Sequence, residues 1–115
     1  MTSSEQTNLS LKGLSVIVLA ADFLMGLSIT VYLKQMGALP VGPLSRPSEL
    51  VDGLTRFERP DVVVVQVTPG ECVAPTVQRA LAANAIPLVT VDQPMSWERS
   101  LYDQLVALKS PRERS

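Results

Sequence analysis

Three polar side chains lie where short apolar stretches end, at positions that could carry chemistry. Asp22 follows SVIVLA, Gln66 lies in VVVVQV, and Asp92 ends LVTVD. If these stretches are parallel strands, the three residues share the carboxyl edge of the sheet, where open α/β folds bind ligands. There they would hold a weak cation or a small polar ligand. The interpretation that we favour is local: Asp22 caps a helix, Asp92 belongs to a turn and Gln66 is a solvated strand end.

The composition excludes several kinds of site. The chain has 115 residues, no histidine and one cysteine, Cys72. Histidine-based acid–base catalysis, Ser-His triads and zinc sites need residues that the chain lacks, and one cysteine cannot form an intramolecular disulfide. We expect Cys72 to be a small core residue. The net charge of −1 gives no electrostatic basis for binding nucleic acid, and the composition fits a cytoplasmic protein.

The hydrophobic pattern predicts strands that alternate with helices. The βαβαβαβα order implies an α/β fold with a parallel sheet and helices on both faces. Pro40 and Pro43 place the second strand at a sheet edge. We expect one domain over 12–110, between a flexible tail at 1–11 and a charged tail at 111–115. The expected strands are 15–20, 38–44, 62–67 and 88–92, and the expected helices are 23–36, 48–57, 72–83 and 97–109.

One stretch allows a different interpretation. Residues 14–33 contain a single charge, Asp22, and a stretch of this length can span a bilayer. A charge near the middle of a span costs roughly 2.5–3.5 kcal/mol on insertion scales. The stretch also changes at Asp22 from a β-branched run to a longer helical pattern, so a strand and a capped helix explain it better. We therefore expect no membrane partner, and anchoring through 14–33 is the weaker alternative.

Residues 11–92 resemble the receiver domain of response regulators. LKGLSVIVLAADFLMGLSITVYLKQMGALPVGP resembles the first half of such a domain, RPDVVVVQVTPG its third strand and NAIPLVTVD its fourth. The resemblance implies a flavodoxin-like, doubly wound sheet of strand order 2-1-3-4-5. Only four residues separate Asp92 from Trp97, so the family's fourth helix and fifth strand are expected to be deleted. The motifs that carry the resemblance are KGL at 12–14, MGA at 36–38, VGP at 41–43 and RPD at 59–61.

The resemblance also implies where phosphoryl chemistry would stand. Receiver domains accept a phosphoryl group from a histidine kinase on an aspartate, and that position matches Gln66. The family's magnesium-binding acidic pair matches Ala20 and Ala21, its switch hydroxyl matches Asp92, and its lysine has no counterpart. An amide is a poor nucleophile, and alanine side chains offer magnesium no oxygen. We therefore expect a pseudo-receiver that is not an enzyme and uses no metal or cofactor.

Two surfaces are left as expected interaction sites. The first helix is apolar almost all round, more than a helix on a sheet needs, and in the family this helix packs on the kinase. Deletion of the fifth strand would make 88–92 an open sheet edge. The competing interpretation is that the tail or the final helix covers the first helix. The residues predicted to form these surfaces are Phe23, Met25, Ile29, Tyr32, Leu33, Met36, Leu88, Val89, Val91 and Trp97.

Two functions follow from these expectations. The first is a phosphorylation-independent protein–protein interaction or assembly module in bacterial-type signalling. Its partner is a second copy of the chain, in a homodimer or larger assembly, or another signalling protein. The second is a receiver-derived sensor that binds a small ligand or cation at the edge of Asp22, Gln66 and Asp92. A small enzyme is a distant third, because no nucleophile–base pair is visible.

Overall fold

Strands and helices alternate along the chain as predicted. The computed structural model describes residues 11–56, 59–92 and 95–114. The elements are β1 (Ser15–Ala20), α1 (Phe23–Gln35), β2 (Leu39–Leu44), α2 (Pro47–Arg56), β3 (Val62–Gln66), α3 (Pro75–Ala83), β4 (Leu88–Val91) and α4 (Trp97–Arg114). The four strands form one parallel sheet in the order β2-β1-β3-β4. This is the flavodoxin-like α/β order without the fifth strand, which confirms the predicted fold class.

The helices cover the two faces of the sheet in pairs. α1 and α4 pack on one face, and α2 and α3 pack on the other. The side chains of β1 alternate between these layers: Val16 and Val18 contact the first pair, and Ile17 and Leu19 contact the second. Because β1 and β3 are buried on both faces, they read as continuous aliphatic runs rather than as alternating apolar and polar residues.

The final helix covers the inner side of the first. Trp97, Leu101 and Leu105 of α4 belong to the same buried cluster as Ile29 and Leu33 of α1. α4 therefore packs on the same face of the sheet as α1. This confirms, for the inner side of α1, the interpretation that the final helix covers the first.

The domain begins earlier than predicted. Leu11, expected in the flexible tail, is fully buried in the cluster under α1 and α4. Its amide donates to the Met36 carbonyl, with an N···O distance of 3.3 Å. Leu11 therefore belongs to the folded domain, because it contributes apolar surface to the core. The predictions for residues 1–10, 57–58, 93–94 and 115 lie outside the described residues.

Two helix boundaries differ from the predicted ones by at least three residues. α3 begins at Pro75, in the first turn of a helix, where proline's missing N–H costs no hydrogen bond. Cys72 therefore precedes the helix, and it is exposed rather than part of the core. α4 continues to Arg114, past residue 109, so most of the predicted charged tail is helical.

α1 lies very close to β1 and β2 because position 26 has no side chain. A Cβ at Gly26 would lie 2.6 Å from Ala20 Cβ and 2.7 Å from Pro43 Cβ. One turn further, Thr30 is buried, and its hydroxyl donates to the Gly26 carbonyl at 2.8 Å. The contact at Gly26 therefore sets the distance between α1 and the sheet.

The apolar stretch 14–33 is divided between two elements. It supplies β1 and most of α1, a helix of 13 residues that is about 20 Å long at 1.5 Å per residue. Among the described residues, no helix combines the length and the apolar character needed to cross a membrane.

We expect Gly26→Ala to lower the free energy of unfolding by about 1–3 kcal/mol, because the added methyl group must push α1 away from the sheet. Helix propensity alone would favour alanine by about 1 kcal/mol, so the two effects have opposite signs. The midpoint of urea unfolding measures the result. Ser28→Ala, at an exposed position of the same helix, is the control and should change stability by less than about 0.5 kcal/mol. A Gly26→Ala protein as stable as the wild type would contradict the close approach.

Candidate functional site

Gln66 ends β3 with its side chain hydrogen-bonded to the backbone. It is 7% exposed. Its Oε1 accepts from the Asp22 amide at 2.9 Å, and its Nε2 donates to the Val67 carbonyl at 3.2 Å. Both ends of the side-chain amide are therefore used. The prediction of a solvated strand end is wrong, because Gln66 is a buried connection between β3 and the start of α1.

Asp22 is the N-cap of α1, as the local interpretation predicted. Its backbone is extended, and its Oδ1 accepts from the amides of Leu24 at 2.9 Å and Met25 at 3.3 Å. These two amides have no partner within the helix, so such a cap stabilises a helix by about 1 kcal/mol. The carboxylate that follows β1 is thus engaged with its own helix.

Ala20 and Ala21, the two residues before Asp22, complete this corner. Ala20 is buried and pairs with Gln66 in the register of β1 and β3. The amide of Ala21 donates to the Gln66 carbonyl at 3.1 Å. Gln66 therefore accepts hydrogen bonds from two successive backbone amides, Ala21 to its carbonyl and Asp22 to its Oε1. Its Nε2 donates one hydrogen bond, to the Val67 carbonyl. The side chain at this position makes one hydrogen bond as an acceptor and one as a donor. A neutral amide can do both, whereas an ionised carboxylate has no donor.

Asp92 lies at the same edge of the sheet but lines a separate cavity. Val91 pairs with Gln66, so the exposed Asp92 follows one residue beyond. The cavity has a volume of about 80 Å³ and is lined by Thr90, Val91, Asp92, Trp97 and Ser100. The structure thus joins Asp22 to Gln66 directly and places Asp92 with a different set of residues. Within the described ranges, no group of three or more acidic or cysteine side chains could hold a metal ion.

Most residues of the predicted interaction surface lie in the core. α1 has apolar residues on every side, so the pattern did not determine which side faces the sheet. Phe23 is exposed as predicted, and Met25, Tyr32 and Leu88 are half-buried. The other six residues are buried between the helices and the sheet, which makes their prediction as an exposed surface wrong. These six are Ile29, Leu33, Met36, Val89, Val91 and Trp97. Trp97 in addition lines a groove between α1 and α4.

The exposed side of α1 carries an apolar stripe that the prediction mostly missed. We call its four members the outer face of α1: Phe23, Leu24, Leu27 and Val31, with exposed fractions of 58, 73, 39 and 50%. No residue from 23 to 33 is charged. Helices that pack on a sheet normally direct charged residues to solvent. An uncharged apolar outer side is therefore typical of a surface that binds another molecule. The sequence could have indicated much of this face on a helical wheel. If Gly26 is placed against the sheet, most of the outer face falls on the other side of the helix.

An open groove leads from the outer face of α1 to the start of α4. Tyr32 and Trp97 both line it. Their rings meet edge to face, with centroids 5.5 Å apart and planes at 79°, a favourable aromatic geometry. Glu98 stands at the rim of the groove. Burial chiefly, followed by the charges of Tyr102, Glu98 and Asp103, raises the pKa of Tyr32. Tyr32 therefore keeps its phenol proton and remains a neutral part of the groove.

β4 is an edge strand, as predicted. In the described part of the chain the sheet ends there, and the carbonyls of Pro87 and Val91 accept hydrogen bonds from the amides of Val63 and Val67. Its side chains Val89 and Val91 are buried, so any contact at this edge would use the backbone and not these side chains. At the opposite edge, β2 exposes Leu39 and Val41.

We expect Gln66→Glu to make the stability of the protein depend on pH. A protonated carboxyl can still donate to Val67 and accept from Asp22. Ionisation removes the donor and places a charge in a buried site, so the pKa of the new carboxyl is raised in the folded state. Stability relative to the wild type is then retained below the unfolded-state pKa of about 4.3 and lost as pH rises through the folded-state pKa. The loss should reach about 1–3 kcal/mol.

Urea unfolding of the variant and the wild type at pH 4 and pH 8 measures this difference. Gln78→Glu is the matched control, because Gln78 is exposed and its Nε2 donates to the Val73 carbonyl at 2.9 Å. The control should show little difference between the two pH values. Equal pH dependence in both variants would mean that Gln66 is not a buried two-bond connection.

No protein-family model, curated protein or solved structure matches this chain in comparisons with known proteins. The flavodoxin-like α/β fold is therefore established from the strand order and the alternation of elements in the chain itself.

Proposed function

We propose that the chain is a non-catalytic, receiver-like module of cytoplasmic, bacterial-type signalling that acts by binding another protein chain without phosphorylation. The outer face of α1 is the contact surface. The observation that carries the proposal is an apolar stripe, exposed over three turns, on a helix with no charged residue from 23 to 33. Burying such a stripe against a partner removes apolar surface from water, which is the main favourable term in protein association.

The state of Gln66 supports the non-catalytic part of the proposal. In a receiver, the end of the third strand carries the nucleophile, and here it carries an amide whose oxygen and nitrogen are both hydrogen-bonded within the chain. Phosphoryl transfer also needs cations to neutralise the charge on the transferred group. Ala20 and Ala21 contribute no side-chain oxygen that would hold one.

The cavity at Asp92 favours a second candidate function, the sensing of a small ion. Three of the residues that line it, Thr90, Asp92 and Ser100, carry side-chain oxygens. A volume of about 80 Å³ lies far below the roughly 300 Å³ of typical small-molecule sites. The ligand of such a sensor would be a cation with a few waters rather than a metabolite.

The melting temperature in the presence of magnesium, with and without acetyl phosphate, separates the two candidates. For the proposed function we expect a shift below about 1 °C and no covalent phosphoryl group by mass spectrometry, since no ligand binds the folded state preferentially. A larger shift that Asp92→Ala abolishes would favour the ion sensor. Acquisition of a phosphoryl group by the wild-type chain would contradict the non-catalytic proposal.

A photo-reactive amino acid at position 24, introduced in living cells, tests the contact surface. Leu24 is the most exposed member of the outer face of α1, so we expect a covalent adduct between this chain and a protein. The adduct should disappear when Val31→Glu is added, because a charge would have to be buried in the contact. The same photo-reactive residue at Met95, which is equally exposed but outside the face, is the matched control.

Folding must be preserved for this test to be informative. Val31 is half exposed, so Val31→Glu should keep the wild-type circular dichroism spectrum, whereas Leu33 is fully buried and Leu33→Glu should unfold the chain. The absence of any adduct at position 24, or an adduct that survives Val31→Glu, would contradict the proposed function.

A further inference from the structure

The outer face of α1 has a symmetry along the helix that fits a second copy of itself. Leu27 lies in its middle, with Phe23 four residues before it and Val31 four residues after it. If two such helices pack antiparallel about a two-fold axis at Leu27, the Leu27 side chains meet each other. Phe23 of each copy then meets Val31 of the other. The apolar stripe is thus complementary to itself without any change in the helix.

Charge selects the antiparallel direction. The stripe is bounded by Asp22 at its start and by Lys34 in its last turn, both exposed. Lys34 follows Leu27 by seven residues and Asp22 precedes it by five, so in the antiparallel pair their axial positions differ by roughly 3 Å. Each lysine then lies at nearly the same level along the helix axis as the aspartate of the other copy, whereas parallel packing places like charges at the same level. The opposed helix dipoles favour the same direction.

We infer that this chain forms a two-fold symmetric homodimer in which the outer faces of two α1 helices pack antiparallel. The inference rests on the proposed function and names the partner of the same surface. Because the contact is isologous, each copy buries the same four side chains, and the pair closes without leaving a further copy of the surface exposed.

Other occupants fit this face less well. Residues 1–10, MTSSEQTNLS, contain two large apolar side chains, Met1 and Leu9, against the four of the outer face. Membrane surfaces bind helices that carry clusters of lysine and arginine on their polar side. Here one lysine, Lys34, is balanced by carboxylates at Asp22 and Glu98 on the borders of the face. A second copy supplies both the apolar stripe and the opposite charges.

Cysteine cross-linking tests the geometry in the full-length chain. Cys72 is exposed, so it is first replaced by Cys72→Ser. In this background, Leu27→Cys should form a disulfide-linked dimer under mild oxidation. Phe23→Cys and Val31→Cys should each remain uncrosslinked alone and should form a disulfide when the two proteins are mixed. A disulfide needs Cα atoms about 4.4–6.8 Å apart, whereas the two copies of residue 23 lie roughly 12 Å apart along antiparallel axes.

The control and the oligomeric state complete the test. Met95→Cys, on an exposed residue outside the face, should form no cross-link, and light scattering should give a dimer mass that Leu27→Glu converts to a monomer mass. Cross-linking of Phe23→Cys alone, equal cross-linking of Met95→Cys, or a wild-type monomer at all concentrations would each overturn the inference. In the last case, a photo-adduct at position 24 with a different protein would leave the proposed function intact, whereas no adduct would remove both.

Discussion

The hydrogen bond from the Asp22 amide to Gln66 Oε1 determines where the chain leaves β1 and begins α1. The side-chain amide of Gln66 is held in turn by the Val67 carbonyl, so the end of the central strand β3 and the start of α1 form one unit. Because the Gln66 side chain is buried, loss of a partner would leave one of its polar atoms unsatisfied, at a cost of about 1–3 kcal/mol.

The direction and rotation of α1 follow from this corner together with Gly26. The Asp22 cap begins the helix, and one turn later the contact of Gly26 with Ala20 and Pro43 brings the helix onto β1 and β2. With the start and the close contact both defined, the inner side of the helix must contain Ile29 and Leu33. The outer face of α1 then lies on the side of the helix that is left exposed. Its apolar character is therefore not explained by packing on the sheet, since α4 already covers the inner side.

The sequence predicted the fold well and the surface poorly, for one physical reason. Strands buried on both faces are long β-branched runs, and helices that carry caps and prolines are bounded by local signals, so β1, β3 and β4 could be recognised one by one. The rotation of a helix about its axis depends on periodicity, and the apolar residues of α1 occur on every side. Ile29 and Leu33 were therefore as plausible on the surface as Leu27 and Val31.

At the candidate site, too, the sequence predicted the residue whose contacts are local and not the residue whose contacts depend on packing. Asp22 was predictable as a cap because the bonds that it makes are local. Gln66 was not, because its two partners follow from the packing of one strand beside another, and only its position in an otherwise apolar run hinted at burial. A polar residue inside a buried strand is expected to have a partner for every polar atom, and that expectation predicts the observed geometry better than the strand-end position does.

A contact through α1 would differ from a receiver's contact in how it is controlled. The chain has no histidine, and the four residues of the outer face of α1 carry no ionisable group, so protonation near neutral pH cannot change the face itself. Gln66, which the proposed resemblance matches to the phosphorylated position of receivers, is neutral and holds the start of α1 in place. In the proposed function the helix is therefore presented continuously. The variable that remains is the concentration of the chain, because by mass action the populated complex increases with the amount of protein.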